Sequence, residues 1–466
     1  MRRWLGVGWL LFALTACQTA PSTTSGLPAV VQYRVEGPSA FFQAPGPREA
    51  VDGAGNAFDY WLVGEDPITV EVAFPFNPTK AERELLEEGI RNTFSAGEIQ
   101  SLSWDGHRVR LRLALGPGTY GLGFTHIEGL KDRWLYGEEL RHDLWLERTR
   151  PYQVMATKPG GETAVFQLDL PAWAEAVGPV VSQGDFLIAA GEVQGVVGTL
   201  RTIWSWTPGE DGASLLPGIY YVNTARWVGK DRLWVGFENG MIVDTATGAI
   251  EAEGVADIAL HPDGRTARFY VVSEGEGQQT WPYVWHWRVA IYSPEGEALS
   301  DWDLFSGDSL DAHGPPRLDA WWGDEEILFT RYTTEGGELQ WWLSSLNPET
   351  GHMDTLAGPP WGIRFLDDGQ YLLVKGRGEE TSPQWRLRRP EGGLMDVTLP
   401  SELNGRFILP HSLWGDWMVL YTNGDPNSPG EELVMWRINT EEWRSLGPGH
   451  ALGWKEGTFY WLKGGD

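Results

Sequence analysis

A single cysteine, Cys17, occurs in 466 residues. That excludes a disulfide-stapled scaffold and any zinc site built on thiolates. Basic residues are few beside acidic ones, 36 against 64, for a net charge of −28. So acidic a composition argues against the broad clustered cationic face that nucleic-acid phosphates require, and against a polybasic membrane patch. Beyond the N-terminal leader no run approaches the ~18 apolar residues of a membrane-crossing helix. Long helix-compatible stretches are also missing, because 59 glycines and 30 prolines interrupt them. Helical bundles, coiled coils and a disordered chain are therefore excluded. What is abundant is tryptophan, 27 residues. With so many turn formers, the composition points to an all-β protein.

Recognisable enzyme signatures are absent too. There is no Gly-x-Ser-x-Gly elbow, no histidine pair at helical i, i+4 metal spacing and no glycine-rich phosphate loop. Asp425-Pro-Asn-Ser-Pro-Gly430 places proline where a calcium loop needs freedom. Gly307-Asp-Ser-Leu310 spells the nucleophile block of GDSL/SGNH hydrolases, but no Asp-x-x-His follows anywhere, so it reads as coincidence. No cofactor is expected, and the identity of any metal is left open.

The N-terminus reads as an address. Arg2 and Arg3 precede the apolar run Trp4 to Leu14, which has signal-peptide length. Leu14-Thr15-Ala16-Cys17 follows and resembles a bacterial lipobox. The resemblance implies residues 1–16 as a signal peptide, cleavage between Ala16 and Cys17, and lipidation of Cys17. Cleavage would leave 34 basic residues against the same 64 acidic ones, a net charge of −30. Residues 17–27 are rich in Thr, Ser, Pro and Gly and read as a flexible tether. The expected location is the extracytoplasmic side of a bacterial cell membrane.

Residues 28–150 form the first expected domain. Strand patterns cover Ala57–Val63, Thr69–Phe74, Glu98–Trp104, Arg108–Leu115 and Gly118–Ile127. Asp105-Gly106 is a hairpin turn signal. One helix over Glu82–Phe94 is predicted, with Thr79 as N-cap, Glu82 closing a capping box, and Leu85, Leu86, Ile90 and Phe94 on one face. Ile68–Phe74, the helix, Ile99–Gly106, Arg108–Leu115 and Leu115–Tyr120 together resemble the bacterial SbsA-type Ig-like domain. The resemblance implies a β-sandwich that acts as a spacer or adhesive module.

Residues 151–466 repeat. Seven inner turns recur, among them Trp227-Val-Gly-Lys-Asp-Arg-Leu-Trp234 and Leu413-Trp-Gly-Asp-Trp-Met-Val419. Seven outer hairpins accompany them, near 166–179, 204–218, 242–254, 291–302, 345–359, 388–400 and 437–449. The spacing fits four-stranded propeller blades. The first outer hairpin has no inner partner and the last inner hairpin has no outer one. Residues 451–462 are therefore expected to pair with residues 152–179 in a composite blade, which hides both terminal edges. The expectation is seven blades, with six or eight as alternatives. The Pro-Asp-Gly turn at 262–264 and the Asp-Asp-Gly turn at 367–369 resemble turns of TolB-like and WD-repeat-like propellers.

Function is expected on loops of one face. Loops between second and third strands, and connections between blades, share a side and are acidic, carrying Glu335, Glu338, Glu379, Glu380 and Asp425. They serve either solubility or a cationic, protein or amine-bearing ligand. Trp281, Tyr283, Trp285 and Trp287 alternate along one insertion. They form either blade-to-blade packing or an aromatic platform for sugar or peptide. The leading expectation is a non-enzymatic, membrane-anchored envelope protein that binds a protein, peptide or glycan. An envelope lyase or hydrolase with its site at a central channel is the alternative, because fold alone does not decide function.

Overall fold

The computed structural model describes residues 27–28, 31–36, 42–43, 57–63, 67–94, 97–122, 142–170, 174–176, 185–190, 202–210, 212–220, 224–229, 231–236, 240–246, 249–261, 263–274, 284–307, 317–322, 325–335, 338–366, 370–375, 384–389, 392–403, 408–422 and 432–464. Cys17 and the leader lie outside them.

Alternation of apolar and polar residues builds the first unit. In Arg108–Ala114 every second side chain is buried and the arginines between them point to solvent. Two four-stranded sheets result. One orders Gln32–Glu36, Ile68–Ala73, Arg108–Ala114 and Glu98–Asp105. The other orders Phe42–Gln43, Ala57–Leu62, His142–Arg148 and Gly118–Leu122, with Ala57–Leu62 and His142–Arg148 parallel. Val70, Val72, Leu111 and Leu113 of the first sheet and Leu144 and Leu146 of the second share one core. The helix spans Lys80–Thr93 and has both halves of the capping box. Thr79 N donates to Glu82 Oε2 at 2.7 Å, and Glu82 N donates to Thr79 Oγ1 at 3.4 Å. Leu86, Ile90 and Phe94 are buried in the same core, with Leu85 half-buried beside them.

From Arg150 to Lys463 the chain is a succession of antiparallel meanders. Five four-stranded sheets follow one another in sequence order: sheet II (174–220), sheet III (224–253), sheet IV (255–307), sheet V (317–357) and sheet VI (361–397). The 13-residue strand Trp443–Lys455 then belongs to two sheets. Its first half pairs with Glu432–Arg437 and completes sheet VII, from 408 onward. Its second half pairs with Thr458–Lys463. That last strand pairs with Arg150–Thr157, placing Phe459 opposite Thr157 and Leu462 opposite Val154. Thr163–Leu170 completes this unit, sheet I.

The outer hairpin of sheet I therefore runs from Arg150 to Leu170 around the turn at 158–162, and not over 166–179. The physical reason is register. The turn at Pro159-Gly-Gly161 closes with Gly161 at φ +97°. Ala174–Ala176 already belongs to the next sheet.

Apolar side chains stand on both faces of each sheet, so successive sheets bury them against one another. Each of the seven neighbouring pairs has its own cluster among the described residues. Sheets I and II share Leu462, Val154, Phe186 and Trp206. Sheets II and III share Ile203 and Leu233; III and IV, Trp234 and Ile258. Sheets IV and V share Trp287 and Phe329; V and VI, Leu343 and Leu373. Sheets VI and VII share Trp385 and Trp436, and VII and I share Tyr421, Met435, Trp454 and Trp461. Polar ties follow the same order. Arg232 reaches the Pro294 carbonyl, Trp302 Nε1 donates to the Pro348 carbonyl at 2.9 Å, Arg389 clasps Asp416 at 2.9 Å, and Arg444 donates to the Lys158 carbonyl.

The tryptophans and the glycines are linked. Trp234, Trp302, Trp342 and Trp461 lie so close to Gly240, Gly351, Gly358 and Gly449 that an added Cβ would meet ring atoms at 2.3–2.9 Å. Glycine lets these flat rings approach neighbouring backbone.

Candidate functional site

The first strands of sheets III, IV and V carry one buried polar network. Asp257, 7% exposed, accepts from Ile258 N at 2.8 Å and from Leu318 N of sheet V at 3.0 Å. Arg226 of sheet III lies 3.4 Å from Asp257 Oδ1 and donates to the carbonyls of Ile258, at 2.8 Å, and Leu318, at 3.3 Å. Its guanidinium also stands over the Trp234 ring at 5.7 Å. A carboxylate so engaged is a structural tie across three sheets.

A second cluster closes the turn of sheet IV. His261 Nδ1 lies 2.6 Å from Asp263 Oδ1, and Arg265 Nε lies 2.7 Å from Asp263 Oδ2. Both His261 and Arg265 pack on Trp321 of sheet V, at 4.8 and 5.1 Å. Desolvation raises the Asp263 pKa, but hydrogen bonds from the Arg265 backbone and from the His261 and Arg265 side chains outweigh it and hold the carboxyl at about 2. Among the described residues no group of three or more His, Cys, Asp or Glu side chains gathers as a metal site.

His411 occupies a bulge in the first strand of sheet VII, between Pro410 and Ser412. The residue as a whole is half-buried, and its Nδ1 is buried without a hydrogen-bond partner among the described residues. The ring meets Tyr421 edge-on at 5.5 Å. Burial lowers its pKa to about 4. Unfolded imidazole takes up a proton near its ordinary value of 6.5, which folded His411 refuses. Its contribution to stability is therefore complete above pH 6.5 and falls as pH drops towards 4. Burial also lowers His450, so its slope adds in the same direction. The urea midpoint is expected to drop across this window, and His411→Gln should flatten the drop. A parallel pH dependence in wild type and variant would refute this assignment.

The loops expected to carry function join second and third strands, as the repeat assignment required. In sheets IV and V these strands are long. Thr266–Glu274 and Val284–Tyr292 form one hairpin, and Glu326–Glu335 and Glu338–Leu346 form the other. Both hairpins overhang their first strands. Pairing of Val255–Leu260 stops at Tyr270, and pairing of Arg317–Trp322 stops at Thr330. Glu335 and Glu338 are backbone partners in the last pair before the tip of the second hairpin. Trp285 pairs with Ser273 and with Gly307 near the base of the first tip. Trp281, Tyr283, Glu379, Glu380 and Asp425 lie outside the described residues.

Trp287 is a correction. It is fully buried between sheets IV and V with Phe269, Val289, Leu318 and Phe329, so it belongs to the core and not to a ligand surface. Alternation places Trp285 and Trp287 on one face but does not say that a neighbouring sheet covers part of that face. The Arg226–Asp257 tie was missed altogether, because its partners come from three separate repeats.

The sequence matches no protein-family model, and the comparison with curated proteins found no match. Solved structures similar in chain course include the β-propeller domain of the Trilobed protease from Pyrococcus furiosus (11% identity, TM-score 0.40, covering 60% of this chain and 86% of that one). An oligogalacturonate lyase in complex with manganese is similar at 13% identity and TM-score 0.41, covering 68% and 96%. An oligogalacturonate lyase from Vibrio parahaemolyticus is similar at 12% and 0.41, covering 65% and 86%. At these scores the activities of those proteins do not transfer to this chain.

Proposed function

We propose that this is a lipid-anchored bacterial envelope protein, with an SbsA-type Ig-like spacer and a seven-bladed β-propeller head that binds a protein, peptide or glycan. Sheets I to VII supply the blades, and the pairing of Thr458–Lys463 with Arg150–Thr157 closes the ring. The closing strands hide the two edges that an open array would expose. The pair of overhanging hairpins in sheets IV and V carries the binding reading. The chain at and between the ends of their strands includes Glu274, Glu276, Glu335 and Glu338. Trp287 and Trp341 near the bases of these hairpins pack between sheets, whereas the tips beyond them enlarge a surface able to steer a cationic partner.

Anchoring has a direct test. Cys17→Ser is expected to move the protein from the membrane to the soluble fraction, and unchanged fractionation would overturn it. Binding is tested with the same soluble full-length variant as bait in envelope extract at low salt, where acidic steering is strongest. The partner enriched by this bait should be lost when Glu335, Glu338, Glu379 and Glu380 are changed to glutamine. No enrichment, or enrichment insensitive to the four changes, would sink the acidic-face reading.

A further inference from the structure

We infer that the outer face of the first sandwich sheet lies against the anionic headgroups of the anchoring bilayer, an inference that rests on the lipid anchor at Cys17 proposed above. This face is made of three cross-strand rows. They run Gln32, Ala73, Arg108, Asp105; then Arg34, Glu71, Arg110, Ser103; then Glu36, Thr69, Arg112, Ser101. The opposite face of the same strands, with Val70, Val72, Val109 and Leu111, is sealed in the core.

Four arginines thus meet three carboxylates on one flat surface, in a chain whose acidic residues outnumber basic ones 64 to 36. The arginine side chains stay open: Arg34, Arg108 and Arg110 are 72%, 49% and 59% exposed. Glu36 and Glu71 are shared among these three, at 2.9–3.2 Å. Arg112 has Thr69 and Ser101 as its cross-strand neighbours, with no carboxylate directly across. A planar guanidinium fork matches phosphate oxygens two at a time.

Chain length selects the occupant. Only 14 residues separate Cys17 from Gln32, the first residue of an edge strand of this sheet. Fully extended, they reach about 50 Å, and as a flexible coil about 20 Å. The sandwich is therefore the folded unit held nearest the membrane. At physiological salt charges are screened beyond about 8 Å, so the remaining acidic surface does not decide which face approaches.

Arginine footprinting tests the inference on the wild-type mature chain. Cys17, the only thiol, is coupled to a maleimide phospholipid, which tethers the protein whether or not the cell acylates it. The chain is displayed on vesicles of phosphatidylcholine alone or mixed with phosphatidylglycerol. Phenylglyoxal modification is followed by mass spectrometry. Arg110 and Arg112 should react roughly threefold more slowly on the anionic vesicles, with protection lost at about 0.5 M NaCl. Arg437, exposed on sheet VII, should react equally on both. Equal rates for Arg110 and Arg112 on the two vesicles would overturn the inference, and so would equal protection of Arg437. Failure of native anchoring would show instead in the Cys17→Ser fractionation.

Discussion

Replacing Asp257 with alanine is expected to destabilise the sheets around it by about 3–5 kcal/mol, the range found when one partner of a buried ion pair is removed. The carboxylate is 7% exposed and serves three donors on two neighbouring sheets and its own. Alanine leaves Leu318 N–H without its acceptor and leaves the Arg226 guanidinium without its countercharge, held only by the Ile258 and Leu318 carbonyls and the Trp234 ring. Asp257→Asn keeps one acceptor oxygen and should cost less, about 1–2 kcal/mol. Arg226→Ala should also destabilise. The double variant should cost less than the sum, because each single change already strands the other partner. Urea unfolding followed by tryptophan fluorescence reads all four proteins. A loss below about 1 kcal/mol for Asp257→Ala, or strict additivity in the double variant, would show that the tie does not hold sheets III, IV and V together.

This contrast between tie and repeat separates what was legible in the sequence from what was not. Turns are local, so their chemistry reads directly. Asn347 Oδ1 accepts from Glu349 N and Thr350 N, and Ser293 Oγ accepts from Glu295 N and Glu297 N, each within four residues. The same holds for Thr79 and Glu82, whose capping box closes within three residues. Pairings between distant segments are different. The parallel pairing of Ala57–Leu62 with His142–Arg148 has no turn signal linking its partners. Asp257 and Leu318 are 61 residues apart, and nothing near either one announces the other. Trp287 shows a third limit. Period-2 alternation gives the face of a strand, but burial of that face depends on how far the next sheet extends. The first outer hairpin was misplaced for a related reason. Its turn at 158–162 lies just after the expected domain boundary, where Arg148 ends one sheet and Arg150 begins another.

Truncation after Gly457, which removes the last strand, is expected to abolish cooperative folding of the head. The strand Thr458–Lys463 supplies Phe459 and Trp461 to the cluster between sheets VII and I, and Leu462 to the cluster between sheets I and II. It also covers the edge of Arg150–Thr157 with backbone pairing. Each large core side chain is worth about 3–5 kcal/mol on truncation to alanine. Three together approach the entire 5–15 kcal/mol of a typical domain. The point variant Trp461→Ala isolates one part of that sum. Trp461 pairs with Met155 and Ala451 across the strands, and its ring lies close against Gly449. A loss of about 3–5 kcal/mol is expected there. Val165→Ala, on the outer strand of the same sheet and 57% exposed, should change stability by no more than about 0.5 kcal/mol. Calorimetry and size-exclusion chromatography distinguish the outcomes. In a closed ring the truncated chain loses its sharp transition and self-associates through the bared edge. In an open array of sheets, each stabilised by its neighbours, the loss stays confined to sheet I and the main transition survives.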